Sequence, residues 1–196
     1  MSIIPDQDRD ALKREFRKEL KKDVSIKLFT QASSLLAIPG RECRYCEQTQ
    51  QLIEELAALS PKLHMEIEDY YSQSQEAKEA GIERIPAIVL TNGPDSNVRF
   101  YGIPAGHEFT NMLEDIVTLS RGVSPLSLET RKKLKRLKED VHIQVFTTPT
   151  CPYCPPMARL AHAMAMENTH IRADVVEVQE FPLLGQRYAI TGVPRT

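Results

Sequence analysis

Hydrophobic and polar residues along the first 120 positions alternate with the periods of helices and strands. In residues 8–22, Leu12, Phe16 and Leu20 recur every fourth position, which predicts an amphipathic helix. The same reasoning predicts further helices at 43–59, 73–80 and 108–120, and strands at 24–29, 63–68, 87–91 and 98–102. The predicted order is β-α-β-α-β-β-α behind one leading helix. We therefore expect an α/β fold with a central mixed sheet flanked by helices.

Part of this pattern occurs twice. Residues 20–29 (LKKDVSIKLF) align with residues 137–146 (LKEDVHIQVF) at an offset of 117, and six of the ten positions are identical. An internal repeat of this kind indicates one structural unit present in two copies. We predict two modules, residues 1–122 and 123–196. The first copy has an insertion at 31–42, which we expect to be a surface loop.

The second copy repeats the early elements of the first. Ser124 and Pro125 predict the N-cap and first turn of a leading helix that runs to residue 140. The predicted helices and strands that follow lie at 141–146, 151–168, 171–178 and 181–189. The first module continues past this point through two strands and a helix. We therefore expect the second module to be incomplete after Pro194 and the natural chain to extend past Thr196.

The chain has four cysteines, in the pairs Cys43–Cys46 and Cys151–Cys154. Residues three apart at the start of a helix bring their β-carbons within about 5–6 Å, so the two sulfurs of a pair can join and separate with little backbone movement. The free N–H groups at a helix start also favour the thiolate form. We expect Cys43 and Cys151 to attack a disulfide, and Cys46 and Cys154 to resolve the mixed disulfide.

Two other interpretations of the cysteines are weaker. A zinc knuckle separates its two pairs by about 15–20 residues, whereas Cys46 and Cys151 lie 105 positions apart. A purely structural disulfide across so short a loop would constrain the unfolded chain little. We therefore expect neither a metal nor another cofactor.

A proline follows each leading cysteine at a separation of 43 residues, in Ile85-Pro86 and in Val193-Pro194. The shared separation favours a cis peptide bond beside each dithiol, which would leave the backbone of the preceding residue free to pair with a substrate strand. The alternative is that each proline simply starts an edge strand. Tyr45 and Tyr153, between the cysteines, either form a substrate-facing rim or pack against the protein.

Composition excludes several classes of function. The net charge of −2 gives no reason to expect a nucleic-acid partner. No stretch approaches the roughly 18 apolar residues of a membrane span, and the first residues do not resemble a signal peptide. Two close cysteine pairs are typical of a cytoplasmic protein with reactive thiols rather than of a disulfide scaffold.

Cys151-Pro152-Tyr153-Cys154 is a glutaredoxin-type active-site sequence, and Val193-Pro194 is similar to the cis-proline of the thioredoxin fold. The tandem arrangement resembles the protein disulfide oxidoreductases of thermophiles, also called glutaredoxin-like proteins. The resemblance implies two fused thioredoxin folds whose two dithiols reduce, oxidise or isomerise protein disulfides. It also implies recharging by a thioredoxin-reductase-like flavoenzyme, and it allows a peroxiredoxin as a further partner.

The chain departs from these relatives in two ways. Thioredoxins place a buried aspartate six residues before the first cysteine, where this chain has Val145. The first dithiol also has charged neighbours and no proline between its cysteines. Two alternatives stay open: a glutathione-dependent glutaredoxin, and a client-binding holdase of the same fold without redox turnover.

Overall fold

The computed structural model describes residues 2–31, 43–93 and 97–196. The predicted loop at 31–42 lies outside these residues apart from Gln31. Up to Gly122, here called the first half, the elements are α1 Asp6–Glu19, β1 Val24–Thr30, α2 Cys46–Ala57, β2 Leu63–Asp69, α3 Ser74–Glu79, β3 Ala87–Thr91, β4 Val98–Tyr101 and α4 His107–Arg121. The second half, from Val123 onward, contains α5 Leu128–Leu134, β5 Val141–Thr147, α6 Cys154–Ala165, β6 Ile171–Glu177 and α7 Pro182–Arg187. The predicted α/β order is confirmed.

The described strands form one six-stranded sheet in the order β2-β1-β3-β4-β6-β5. Only β3 runs antiparallel to its neighbours, and all the other adjacent pairs are parallel. The two halves meet where β4 pairs with β6, from Val98 opposite Ala173 to Tyr101 opposite Val176. The sheet is therefore mixed and continuous through both halves. The predicted boundary at residue 122, where α4 ends on the left-handed Gly122, stays a prediction.

Helices cover both faces of the sheet, because the strands alternate their apolar side chains between two clusters. Ile26 and Leu28 of β1 pack with residues of α1, α2, α4 and α6. The neighbouring Phe29 points to the other face, into a cluster with residues of α3 and the α7 region. None of the described helices is both long and apolar enough to cross a lipid bilayer.

Several helices are shorter than the sequence predicts, because other groups satisfy the backbone beyond their ends. α1 ends at Glu19, since the N–H groups of Lys21 and Lys22 donate to Ser120. The N-cap of α5 is Ser127 rather than Ser124, and its hydroxyl accepts from the N–H of Thr130. α5 ends at Leu134, where the side chain of Asn168 donates to the carbonyl oxygen.

A buried contact between a histidine and a carboxyl group links helices of the two halves. Nδ1 of His162, in α6, lies 2.6 Å from a carboxylate oxygen of Asp115, in α4, and both side chains are almost fully buried. Nε2 of the same ring lies 3.2 Å from the carbonyl oxygen of Arg99, in β4. The ring is thus held between an acceptor on α4 and an acceptor on β4. The pair therefore fixes α6 of the second half against two elements of the first.

We expect His162→Ala to lower the free energy of unfolding by about 3–5 kcal/mol, because it leaves the Asp115 carboxylate buried without its partner. Urea denaturation measures this cost. The matched control is His170→Ala, which removes an exposed pair with Asp140 and should cost less than about 1 kcal/mol. Equal losses in the two variants would show that the buried pair does not join the halves.

Candidate active site

Both cysteine pairs lie at the same edge of the sheet. β1 and β5 point in the same direction, because β3 is the one reversed strand between them. Each of these strands leads at its carboxyl end into a Cys-x-x-Cys sequence. In an order of six strands, β1 and β5 are four positions apart, which is about 19 Å at the usual strand spacing. The two dithiols therefore face the same side of the molecule without touching.

The first dithiol joins Cys43 to Cys46 as a disulfide, with the two α-carbons 5.5 Å apart. Cys46 is the first residue of α2 and is 4 % exposed, whereas Cys43 is half-buried. The prediction that the helix begins at Cys43 is wrong, because residues 43–45 form a turn before it. The leading sulfur is nevertheless held at the helix N-terminus through its bond to Cys46.

The second dithiol has the same arrangement. Cys151 and Cys154 form a disulfide with α-carbons 5.5 Å apart, and Cys154 is the first residue of α6. Cys154 is fully buried, and Cys151 is 8 % exposed. The Sγ atom of Cys151 lies 3.7 Å from the carbonyl oxygen of Val193. The structure thus brings this dithiol against the dipeptide that the sequence predicts beside it.

Ile85–Pro86 and Val193–Pro194 are both cis peptide bonds, as the sequence predicts. The residue after each proline pairs antiparallel with the strand that leads to the corresponding dithiol. Ala87 pairs with Phe29 of β1, and Arg195 pairs with Phe146 of β5. The two halves therefore repeat the same arrangement of strand, cysteine pair and cis-proline. A role of these dipeptides in substrate binding stays a prediction.

The two tyrosines between the cysteines differ in their surroundings. Tyr153 is 76 % exposed, which suits a rim residue. Tyr45 is half-buried, and the guanidinium of Arg44 lies 5.4 Å from the centre of its ring. Tyr45 also lines the cavity beside the first dithiol, and a rim role for either ring stays a prediction.

A cavity of about 710 Å³ lies between the first dithiol and the second half of the chain. From the first half it is lined by Cys43, Ile85 and Pro86 among others. From the second half come Pro149, Glu177, Gln179, Glu180, Phe181 and Pro182. The cavity therefore combines a dithiol of one half with two carboxyl groups of the other.

Sequence analysis missed these two carboxyl groups. Burial raises the pKa of Glu177, against the opposing effect of the N–H groups of Gln179 and Glu180, which donate to its carboxylate. Burial raises the pKa of Glu180 to about 7, opposed by the N–H of Ile103 and aided by the charge of Glu177. The available signal was one acid at the end of a buried strand and a second three residues later, where the first copy has Asp69 and Ser72.

Glu108 is a further buried carboxyl that the sequence did not reveal. It is 3 % exposed, and burial raises its pKa despite a hydrogen bond from Asn111. Its Oε1 atom has no partner among the described residues. It lies in the first turn of α4, next to His107, whose N–H donates to the carbonyl oxygen of Pro149 just before the second dithiol. α4 also packs beside α6.

No carboxyl group comes from the strands that precede the dithiols. The equivalent positions are Leu28 in β1 and Val145 in β5, and both are fully buried. The strands that lead to the two cysteine pairs lie about 19 Å apart at the usual strand spacing, whereas the sulfurs of one zinc site each lie about 2.3 Å from the metal. Among the described ranges, no three histidine, cysteine or acidic side chains come together as a metal site.

Residues 35–114 and 141–196 match the model of a family described as thioredoxin domain. Among solved structures, a protein disulfide oxidoreductase from Aeropyrum pernix K1 is 31 % identical, with a TM-score of 0.86 over 97 % of this chain and 82 % of that one. The NTD_N/C domain of alkylhydroperoxide reductase AhpF from Enterococcus faecalis is 25 % identical, with a TM-score of 0.83 over 97 % and 88 %. The chain therefore belongs to the thioredoxin-domain family, together with the protein disulfide oxidoreductases.

Curated relatives are longer proteins. A component of the alkyl hydroperoxide reductase of Xanthomonas campestris pv. phaseoli is 27 % identical over 144 residues, which are 73 % of this chain and 25 % of that protein. An NADH dehydrogenase of Bacillus subtilis is 24 % identical over 144 residues, 73 % of this chain and 26 % of that protein. The chain thus spans about a quarter of the length of these two relatives.

The raised pKa of Glu180 makes a prediction for stability. The pKa of a glutamate is 4.5 in the unfolded chain and about 7 for Glu180 in the folded protein. Between pH 4.5 and 7 the folded state therefore holds a proton that the unfolded state has lost. The free energy of unfolding should therefore fall as the pH rises from about 4.5 to 7. Because the side chain is only partly buried, we expect this group to contribute about 1–2 kcal/mol of the fall.

Urea denaturation of the disulfide form at several pH values measures this effect. Glu180→Gln should remove that part of the pH dependence and be more stable than the natural sequence at pH 8. The control Glu83→Gln changes an exposed carboxyl near the same site and should leave the pH dependence as it is. A Glu180→Gln curve parallel to that of the natural sequence would contradict the assigned pKa.

Proposed function

We propose that the protein is a thiol–disulfide oxidoreductase that reduces, oxidises or isomerises protein disulfides through both dithiols. One observation supports this above the others. In each half, a disulfide joins the turn before a helix to the first residue of that helix, and a cis-proline follows at the same separation. Such a bond can open and close on a nearly fixed backbone, which suits repeated exchange better than structural bracing.

The exposure of the sulfurs supports the predicted division of roles. In each pair the leading residue, Cys43 or Cys151, is more exposed than its partner. The leading thiolate would attack a substrate disulfide and form a mixed disulfide. The buried partner, whose α-carbon is 5.5 Å away, would then attack the leading sulfur and release the reduced substrate. Two electrons pass from the dithiol to the substrate.

An extended substrate chain would bind along the cis-proline dipeptides. Ile85 lines the first cavity, and the carbonyl oxygen of Val193 faces the sulfur of Cys151. Backbone groups in this position can pair with a peptide as with an added strand, which gives affinity with little dependence on sequence. We assign Tyr45 and Tyr153 to the rims of these two binding sites.

We infer that a flavoenzyme similar to thioredoxin reductase recharges the dithiols in the cytoplasm, and that a peroxiredoxin accepts electrons from them. The similarity to a domain of alkylhydroperoxide reductase AhpF supports a partner of this kind. Reactive cysteine pairs also suit a compartment that keeps thiols reduced. Binding of a flavoenzyme would be tested by NADPH-dependent reduction of the two disulfides.

Two alternatives make different predictions. A holdase of the same fold would bind unfolded clients equally well after all four cysteines are replaced by serine, and it would reduce no disulfide. A glutaredoxin would require glutathione, whereas a protein disulfide oxidoreductase turns over with a dithiol reductant. The paired cysteines at helix starts favour the oxidoreductase, because a binding scaffold needs neither an attacking nor a resolving thiol.

We expect Cys151→Ser to remove more than half of the insulin-reductase activity measured with dithiothreitol, and Cys43→Ser to remove less. The physical reason is that Cys151 has neutral neighbours and the known exchange motif, whereas Cys43 lies among charges of both signs. The double variant Cys43→Ser/Cys151→Ser should have background activity only. A larger loss from Cys43→Ser would reverse the order of the two sites, and an active double variant would contradict the proposed function.

A further inference from the structure

The first dithiol shares its cavity with a carboxyl group that belongs to the other half of the chain. Glu180 follows β6 and lines the cavity that also contains Cys43 and the cis-proline Pro86. Its Oε1 atom accepts a hydrogen bond of 2.7 Å from the N–H of Ile103. Among the described residues its other oxygen has no hydrogen-bond partner, so that oxygen is available to a molecule in the cavity.

The backbone next to Pro86 leaves room for the Glu180 carboxyl group. Gly102, just after β4, donates its N–H to the carbonyl oxygen of Pro86. Gly102 has a φ of +92°, and a β-carbon there would lie 2.8 Å from Oε1 of Glu180. A side chain at position 102 would collide with this carboxyl group. Glycine therefore allows the Glu180 carboxyl group to lie against the backbone that is hydrogen-bonded to Pro86. The pairing of β4 with β6 brings Gly102 and Glu180 together.

The charges around Glu180 come from several elements. Glu177, in the same turn, raises its pKa. Arg44 lines the cavity from the turn before α2. Arg84, whose guanidinium pairs with Glu83, and Arg187 of α7 line an adjoining groove with Glu180. Burial is the largest cause of the raised pKa and the charge of Glu177 adds to it, so a fraction of Glu180 holds its proton near neutral pH.

We propose that Glu180 gives its proton to the substrate sulfur that leaves when Cys43 attacks a disulfide in this cavity. This inference rests on the proposed function of the first dithiol. The sulfur of Cys43 bonds to the near sulfur of the substrate, and the substrate S–S bond breaks. The electron pair goes to the far sulfur, which takes the proton of the Glu180 carboxyl group and leaves as a thiol.

The second step restores the carboxyl group. The sulfur of Cys46 attacks that of Cys43 and releases its proton to solvent, and the Glu180 carboxylate takes up a proton from the solvent in the cavity. The bond between Cys43 and the substrate breaks, and the second substrate sulfur leaves with the electron pair. The dithiol has then lost two electrons to the substrate disulfide, and Glu180 is protonated as at the start. The first dithiol therefore uses a proton donor from the second half.

Leaving groups of different acidity test this role. An alkyl thiol with a pKa of about 8.5 leaves poorly without a proton, whereas an aromatic thiol of low pKa leaves readily as the thiolate. We would use the full chain with Cys151→Ser/Cys154→Ser, so that only the first dithiol reacts. Single-turnover oxidation of this reduced protein is followed from pH 5 to 9, with a dialkyl peptide disulfide and with an aromatic nitrobenzoate disulfide.

In this background, Glu180→Gln should slow oxidation by the dialkyl disulfide about tenfold or more at pH 7, and it should remove the pH-dependent step near 7. The rate with the aromatic disulfide should change less than twofold. Glutamine keeps the acceptor for the N–H of Ile103, so the fold should persist, and circular dichroism checks this. Glu83→Gln, which alters an exposed carboxyl near the same site, should match the parent protein with both substrates.

Three results would overturn the proposal. One is an unchanged rate and pH profile with the dialkyl disulfide. Another is an equal loss with both disulfides, which would indicate a disturbed site rather than a missing proton. The third is the same loss of oxidation rate when Glu180→Gln is introduced into protein that retains only Cys151 and Cys154. Failure of the parent protein to react with either disulfide is a separate outcome, because it would contradict the proposed function of the first dithiol itself.

Discussion

The parallel pairing of β4 with β6 is the contact on which the rest of the arrangement depends. Four residue pairs, from Val98–Ala173 to Tyr101–Val176, join the halves into one sheet. Because hydrogen bonding fixes both direction and register, this pairing puts the carboxyl ends of β1 and β5 at the same edge. The buried His162–Asp115 pair holds the helices above the same seam. Both dithiols and the acidic cavity therefore face the same side of the molecule.

The two sites are repeats in geometry but differ in chemistry. The first has charged neighbours and opens into a cavity whose far wall is supplied by Glu177 and Glu180. The second has Pro155 and Pro156 in the first turn of α6, where a proline removes no hydrogen bond within the helix. A buried carboxyl of the first half, Glu108, follows His107, whose N–H donates to the carbonyl oxygen of Pro149 just before this dithiol. Neither strand before a dithiol contains a carboxyl group.

The sequence predicted the parts of the fold that depend on local periodicity and on the repeat. The strands, the two dithiols and the two cis-prolines follow from apolar spacing and from the shared separation of 43 residues. The starts of α2 and α6 were placed three residues early, because the turn that contains each leading cysteine has no distinct pattern. The shared cavity of Glu180 and Cys43 could not be predicted, since it depends on the β4–β6 pairing between residues far apart in sequence. Periodicity within each segment contains no information on that contact.

The central claim is that both cysteine pairs are redox couples that exchange with other disulfides. An equilibrium titration of each single-site variant against dithiothreitol and glutathione buffers tests it most directly, with the dithiol fraction read by mass after alkylation. The account predicts that each pair interconverts reversibly at a potential above about −300 mV, without loss of secondary structure. Structural disulfides generally lie below that value. A pair that stays oxidised across the whole range, or that never forms a disulfide, would contradict the account.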